Sequence, residues 1–336
     1  MPLSESAVFS ALLPLPDGRH AVRVQAGPRH EAPVLPLAFE SFLYLRPAHL
    51  NLQRCEGERL SFYLEDQPAG RTVAQLHVFS VEGAAHSPWQ APFGAVQLAP
   101  GLSAAVVHDF WQQVETQLTA RGLTHRRLRG YPFAYDPAGS ALLTEELRQR
   151  GYRVTLAELN NHLPLERGFE AGLHPSERRR LQKCRRHGFH FEQEPPYLLP
   201  LAYEFLARCR QEKGQQLSLE LARLQELFRL FPREYSLFSV RDGAGDWAAM
   251  TVAIQVNSEV LYNFYPASPL AYNAFSPVVL LTEGLHAFGR ASGLRLLDLG
   301  TSTLPGGLNQ SLLQFKRHLG GVPSLKLTFS KDPERF

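Results

Sequence analysis

The chain has 336 residues, of which 44% are hydrophobic and 20% charged, a composition typical of a soluble globular protein. Its 35 Lys and Arg residues against 32 Asp and Glu residues give a net charge of only +3, which excludes a polyelectrolyte but leaves room for a local basic patch. No apolar stretch reaches the length of a membrane span, no basic segment of a signal peptide precedes the first apolar run, and the three cysteines are far apart. We therefore expect a cytoplasmic protein without a membrane span.

The first half begins with a Pro-rich, irregular region over residues 1–58. After it, LSFYLED and RTVAQLHVFSVEG alternate around the turn QPAG, which predicts a β-hairpin. Apolar residues then recur every three or four positions between Ser103 and Gly122, which predicts an amphipathic helix. A strand (HRRLRGYP), a helix (LLTEELRQRGY) and a long strand (YRVTLAELNNHLPL) complete this half.

The second half opens near Glu166 with a basic helix, LHPSERRRLQKCRRHGF, for which Ser176 is the predicted N-cap. Two apolar helices follow, the second capped by Ser218, and then a long hairpin. The helix SPVVLLTEGLHAFGRASG is predicted to have Ser276 at its N-cap and Pro277 at its first position. The strand LRLLDLG, a polar loop, the short basic helix LNQSLLQFKRHLG and the strand VPSLKLTFS end the chain.

The two halves share one order of elements, namely strand hairpin, amphipathic helix, strand, helix and strand. Their junctions are also similar, because ARGLTHRRLRG corresponds to ASGLRLLDLG. The order predicts an α/β (α+β) protein made of two duplicated domains, 1–165 and 166–336, each with a mixed, mostly antiparallel sheet flanked by helices. The alternative is that unrelated mixed α/β domains look alike at this level of detail.

Four segments resemble the GNAT acyltransferase superfamily, and more closely the double-GNAT proteins related to the Fem aminoacyltransferases that form peptidoglycan bridges. They are the basic helix SERRRLQKCRRHGFHFE, the Ser-Pro helix followed by LDLGTS, the Phe-Lys segment LLQFKRHLGG and, in the first half, SPWQAPFGAV. Together they cover about residues 60–330, although each motif is short. The resemblance implies tandem GNAT-like domains, with a first domain that is irregular or truncated at its N-terminus and an active site in the second.

The resemblance further implies an N-acyltransferase that moves an acyl or aminoacyl group to an amino group of a small molecule, a peptide or a cell-wall precursor. The two donors that it allows are an acyl-CoA, such as acetyl-CoA, and an aminoacyl-tRNA. The pyrophosphate loop of the superfamily is not present in clean form, since Gln97 to Ser103 (QLAPGLS) is one residue too long and has a single glycine. The alternative is a non-catalytic double-GNAT fold that binds a phosphorylated ligand or a polyanion.

Lys316 and Asp298 are the predicted catalytic residues. Acyl transfer needs a cation where negative charge develops, and the resemblance assigns that role to the lysine of the Phe-Lys helix. Asp298, at the end of LRLLDLG, can act as a base or orient the acceptor amine. The structural alternatives are a solvated lysine in the last turn of a helix and a turn carboxylate.

Two further groups complete the predicted site. The substrate-binding candidates are polar or aromatic residues near the two catalytic candidates: Tyr262, Tyr265, Ser276, Ser302, Asn309, Phe315 and Arg317. The phosphate-binding candidates lie on the basic helix: Arg179, Arg180 and Lys183. The charged run can equally be a solvated helix face, and half of the aromatic residues can be core residues.

Other chemistries have no support in the sequence. The 13 histidines and the cysteines show no ligand spacing, so we expect no metal site. No GxSxG motif or Cys–His arrangement is evident. The sequence therefore favours direct transfer without a covalent enzyme intermediate.

Overall fold

The computed structural model describes residues 9–304 and 306–332. Residues 1–8 of the region expected to be irregular, and Pro305 of the polar loop, lie outside the described residues. The chain divides into two compact units. The first unit comprises the described residues up to Glu158 together with those from Leu325 onwards, and the second unit comprises Leu159–Ser324.

The strands are β1 Phe9–Pro14, β2 His20–Gly27, β3 Arg59–Asp66, β4 Arg71–Val81, β5 Ala84–Ser87, β6 Gln97–Leu98, β7 His125–Arg129, β8 Arg153–Pro164, β9 His190–Glu194, β10 Tyr235–Arg241, β11 Trp247–Gln255, β12 Val260–Asn263, β13 Leu296–Thr301, β14 Thr303–Leu304, β15 Gly307–Leu308 and β16 Val322–Lys331. The helices are α1 Pro47–Leu50, α2 Ala104–Ala120, α3 Pro137–Gln149, α4 Pro175–Arg186, α5 Leu199–Gln211, α6 Leu221–Leu230, α7 Val278–Ala291 and α8 Gln310–His318. These elements confirm a mixed α/β protein.

The sheet of the first unit has the order β1-β2-β3-β4-β5-β7-β16. The short strand β6 pairs with Ala74 and Gln75 of β4. Neighbouring strands are antiparallel except β5 and β7, which are parallel and are connected through helix α2. Strand β16 joins β7 through its C-terminal part, where Thr328 lies opposite Arg129. The region expected to be irregular therefore contains a hairpin, β1–β2, that pairs with β3.

The sheet of the second unit has the order β8-β13-β12-β11-β10-β9. Again one neighbouring pair is parallel, β12 with β13, and helix α7 connects its two strands. Strand β8 contributes its C-terminal part, where His162 lies opposite Asp298 of β13. The pairing shifts register between Asp298 and Thr301, which marks an irregularity at the end of β13.

The two units thus repeat one arrangement, in which a parallel pair joined by a helix is followed by an antiparallel strand. In the first unit this last strand is β16, from the end of the chain, and in the second unit it is β8, from the middle. Each repeat therefore completes its sheet with the terminal strand of the other. Periodicity could not reveal this exchange, because it shows elements but not their partners.

The longest helices form because each buries an apolar face against a core. In α2 the buried residues follow helical spacing, and Ser103, where the helix was predicted to begin, is its N-cap, with the hydroxyl accepting a hydrogen bond from the Val106 N–H. In α7 a similar face packs into the core of the second unit. No helix among the described residues is long and apolar enough to cross a membrane.

Three predicted helix caps are wrong. Helix α4 begins at Pro175, so that His174, rather than Ser176, is its N-cap. Helix α6 begins after Glu220, and the Ser218 hydroxyl instead lies 2.5 Å from the Tyr265 hydroxyl. Ser276 precedes the N-cap of α7, which is Pro277.

Candidate functional site

Asp298 lies three residues before the end of strand β13, and the residue is only 2% exposed. One of its oxygens, Oδ1, accepts hydrogen bonds from the Asn160 side chain at 2.8 Å and from the Gly300 backbone N–H at 2.7 Å. Gly300 has φ of +74°, a conformation that residues with a side chain rarely adopt. The irregular strand end and Asn160 of β8 therefore hold the carboxylate in one orientation.

Lys316 of α8 reaches the same strand end. Its Nζ donates to the carbonyl oxygens of Gly300 and Thr301, both at 2.8 Å, and the residue is only 6% exposed. Burial lowers the pKa of this lysine to about 8, while the nearby Asp298 charge acts in the opposite direction. The ammonium group can donate three hydrogen bonds, and these two carbonyl oxygens accept two of them within the described part of the chain.

Strand β8 contributes polar groups that are not among the residues predicted from the sequence. Asn161 is fully buried and donates from Nδ2 to the Ser302 hydroxyl at 3.2 Å, whereas its Oδ1 has no hydrogen-bond partner within residues 9–304 and 306–332. The next residue, His162, is half-buried, and burial lowers its pKa. The run Asn-Asn-His in an otherwise alternating strand was a signal in the sequence for this cluster.

The two tyrosines have different surroundings. Tyr262 of β12 lies opposite Asp298 in register, and its ring is 3.4 Å from the position that a Cβ at Gly300 would occupy. Strand β12 ends at Asn263, so Tyr265 lies beyond it. The Tyr265 hydroxyl forms a hydrogen bond with the Ser218 hydroxyl and accepts another from the Leu219 N–H at 3.0 Å.

The remaining substrate-binding candidates have different structural roles. Asn309 is the N-cap of α8 and accepts from the Leu312 N–H at 3.0 Å. Phe315 packs against the core of the second unit, and Arg317 on the same helix is exposed. Ser276 has φ of +53° at the start of α7.

Two of the three phosphate-binding candidates have protein partners. Arg180 forms an ion pair with the buried Glu177 at 2.9 Å. The Lys183 Nζ donates to the Ala274 carbonyl at 2.9 Å and lies 4.4 Å from the Phe275 ring centroid. Arg179 is exposed, and no contact of its guanidinium is seen within the described part of the chain.

No group of three or more His, Cys, Asp or Glu side chains within residues 9–304 and 306–332 is placed to hold a metal ion. The chemistry of the site is that of a buried ammonium group, a carboxylate fixed by an amide, and hydroxyl groups. Such a set can position an amine and stabilise a developing negative charge.

No protein-family description matches the sequence, and no curated protein sequence does. Solved structures do match over most of the chain. FemX has a TM-score of 0.60 at 12% identity, covering 80% of this chain and 87% of its own. A conserved protein of unknown function from Bacteroides thetaiotaomicron has a TM-score of 0.54 at 9% identity, covering 81% and 86%. L-PGS from Bacillus licheniformis has a TM-score of 0.52 at 12% identity, covering 79% and 82%.

At these identities the similarity shows the fold alone. It agrees with the resemblance of the sequence to the Fem group, with the mixed sheets of both units and with their repeated order. The chain therefore shares the fold of FemX.

Proposed function

We propose that the protein is an N-acyltransferase that moves an acyl or aminoacyl group to an amino group of a small molecule, a peptide or a cell-wall precursor. The observation that carries the proposal is the buried Lys316 ammonium at the end of β13, beside the Asp298 carboxylate. Acyl transfer to an amine requires a positive charge and a proton acceptor close together, and this ammonium and carboxylate can supply them.

Acyl transfer needs a deprotonated amine, stabilisation of the oxyanion that forms at the carbonyl, and neutralisation of the leaving group. Lys316 supplies the positive charge for the second or the third requirement. Its two hydrogen bonds to backbone carbonyls fix the direction of the ammonium group, so that little reorganisation accompanies the reaction.

Asp298 orients the acceptor amine or accepts its proton. Asn160 and the Gly300 N–H bind Oδ1 and so act as positioning groups for the carboxylate. Tyr262, opposite Asp298 in register, and Ser302, bound to Asn161, are the groups that we assign to contact with the acceptor.

The donor is an acyl-CoA or an aminoacyl-tRNA. The resemblance of the sequence to the Fem aminoacyltransferases supports the second donor, and the similarity of the fold to FemX agrees with that resemblance. Gln97 begins the segment whose sequence is most similar to a pyrophosphate loop. Its side chain is buried, accepts a hydrogen bond from the Phe42 N–H and donates one to the Glu40 carbonyl. The side-chain amide of Gln97 therefore already has hydrogen-bond partners within the protein. This argues against binding of CoA phosphates by this segment.

A second candidate is binding of a phosphorylated ligand or a polyanion without catalysis. The exposed Arg179 and Arg186 on α4 favour it, since both guanidinium groups face solvent. Their neighbours Arg180 and Lys183 are engaged within the protein, which limits the patch that remains for phosphates.

A thermal-shift screen with three ligands tests the proposal: acetyl-CoA, aminoacyl-tRNA and a nucleotide-linked cell-wall precursor. A ligand that binds the folded state raises Tm by mass action. We expect one donor to stabilise the protein and, when labelled, to pass its acyl group to an amine. Stabilisation by polyanions of any kind, with no transfer from either donor, would instead support the non-catalytic alternative.

A further inference from the structure

A row of three polar side chains crosses the sheet of the second unit. Asp298 of β13 lies opposite Tyr262 of β12 on one side and opposite His162 of β8 on the other. Residues that lie opposite one another on neighbouring strands have side chains on the same face of the sheet, with Cβ atoms about 5 Å apart. The His162 ring is therefore a neighbour of the Asp298 carboxylate.

The residues next to the row identify the face on which it lies. Three leucines, each one position away from the row, are buried in the core of the second unit: Leu163, Leu261 and Leu297. Because successive side chains of a strand point to opposite faces, the row lies on the face away from that core. Asn160, two positions before His162, shares the face of the row and donates to the Asp298 carboxylate at 2.8 Å.

The His162 ring has one enclosed and one accessible nitrogen. Nδ1 is buried and has no hydrogen-bond partner within residues 9–304 and 306–332. Nε2 has no partner in that part of the chain either, but this nitrogen is not enclosed, and the residue as a whole is half-buried. A ligand can therefore reach Nε2. Since no partner fixes the tautomer, the neutral ring can present the lone pair of this nitrogen.

Two charged groups act on the ring from neighbouring elements. Burial lowers the pKa of His162, the negative charge of Asp298 raises it, and the positive charge of Arg295 lowers it again. Arg295 is itself paired with Glu259 at 3.0 Å. Because the pKa lies below its ordinary value, the ring is neutral at pH 7 and can accept a proton.

The two possible proton acceptors of the site differ in their hydrogen bonds. Oδ1 of Asp298 already accepts from the Asn160 side chain and from the Gly300 N–H. Nε2 of His162 accepts from no group within the described part of the chain. The arrangement favours the carboxylate as the fixed charge and the imidazole as the group that exchanges a proton.

We propose that His162 accepts the proton of the acceptor amine during acyl transfer, an inference that rests on the proposed function. The amine nitrogen forms a bond to the carbonyl carbon of the donor, and its proton passes to Nε2. The bond from that carbon to the leaving sulfur or oxygen then breaks, the electron pair goes to the leaving atom, and that atom receives the proton from the imidazolium. Asp298 stabilises the imidazolium, and Lys316 stabilises the negative charge at the carbonyl oxygen.

The pH dependence of transfer tests this role. The probes are ¹⁴C-acetyl-CoA and ¹⁴C-alanyl-tRNA as donors, each with alaninamide, glucosamine and spermidine as amines. At saturating amine, kcat of the unmodified protein should fall towards tenfold per pH unit below the pKa of His162. His162→Gln should lower kcat at neutral pH by about 10²–10⁴-fold and remove this acid decline. His190→Gln is the matched control in the same unit, because His190 is half exposed and pairs with Glu192.

A measurement that needs no turnover tests the neighbourhood of the two side chains. In an NMR titration of the His162 Cε1–H resonance, Asp298→Asn should lower the pKa of the ring, because the carboxylate that favours the imidazolium is removed. The resonance is assigned with His162→Gln. An unchanged pKa in a folded Asp298→Asn protein would overturn the proposal, because the carboxylate would then not act on the ring.

The kinetic outcomes separate this proposal from the function on which it rests. Transfer by the unmodified protein, with the same acid decline and a similar kcat in His162→Gln, would overturn the role of His162 alone. Absence of transfer from both donors to all three amines would contradict the proposed function and this inference together. Partial recovery of kcat when imidazole is added to His162→Ala would support the role, because free imidazole replaces the missing base.

Discussion

The Nζ atom of Lys316 lies 2.8 Å from the carbonyl oxygen of Gly300, a residue held at φ of +74°. The direction of that carbonyl, and hence the position of the ammonium group, depends on a backbone conformation that glycine adopts without penalty. Gly300 also donates its N–H to Asp298. One glycine thus sets the relative positions of both catalytic candidates.

Gly300→Ala should therefore lower both stability and activity. A side chain at this φ costs about 1–2 kcal/mol, and the new Cβ would lie 3.4 Å from the Tyr262 ring. We expect a corresponding decrease in the free energy of unfolding, measured by urea titration, and a fall in kcat. Gly168→Ala is the matched control, because a Cβ there meets nothing within 4 Å. Equal effects of the two substitutions would contradict this account of Gly300.

The activity should decline at alkaline pH because the pKa of Lys316 is lowered to about 8. Below pH 8 the folded protein carries the cation, and above it the amine becomes neutral. We expect the rate to fall towards tenfold per pH unit above about pH 8. Lys316→Arg, which stays protonated, should remove this decline in whatever activity it retains. An identical alkaline decline in both proteins would show that another group titrates.

Two buried histidines should make the first unit sensitive to acid. Ser61 Oγ lies 3.0 Å from Nδ1 of both His30 and His77. Burial lowers the pKa of His30 to about 2 and that of His77 to about 3. Below pH 6.5 the unfolded chain binds protons that the folded protein does not, so stability is present at neutral pH and is lost as the pH falls.

Each histidine should remove up to about 1.4 kcal/mol of unfolding free energy per pH unit below 6.5. The difference in unfolding free energy between pH 7 and pH 5, obtained from urea titrations, measures this effect. His77→Gln should show a smaller difference than the unmodified protein, whereas His125→Gln, a change at an exposed position, should not. A His77→Gln variant with the full pH dependence would disprove the assignment.

Ser276 occupies the left-handed region at φ of +53° without capping α7. Ser276→Gly should therefore be neutral or increase the free energy of unfolding by up to about 1 kcal/mol, and Ser276→Val should decrease it by more than that. The same variants test the predicted role in substrate binding. A raised KM for Ser276→Gly at unchanged stability would support that role, and an unchanged KM would limit Ser276 to a structural one.

Local patterns predicted most of the elements but not the exchange of terminal strands or the details of the helix starts. The start of α2 at Ser103 and the β3–β4 hairpin depend on neighbouring residues, so their signals are complete in the sequence. The caps at Ser218 and Ser276 failed because tertiary contacts and a left-handed conformation compete with the local preference.

In the candidate site, too, the sequence indicates the residues, whereas their environment depends on tertiary contacts. The motifs of the resemblance contain Lys316 and Asp298, which remain predicted catalytic residues. A lysine in the last turn of a helix is usually solvated, and the burial of Lys316 follows only from where β13 ends. Asn160 and Asn161 belong to a strand of the other half of the sequence as expected, and only the pairing of β8 with β13 brings them to Asp298 and Ser302.

Turnover of a labelled acyl donor by Lys316→Ala tests the central claim most directly. Lys326→Ala is the matched control, because Lys326 is also 6% exposed but lies in the first unit. Loss of one preorganised group that stabilises a developing charge lowers kcat by about 10²–10³. We predict a loss of this size for Lys316→Ala with the fold retained, and activity close to that of the unmodified protein for Lys326→Ala. Unchanged turnover by Lys316→Ala would contradict the account.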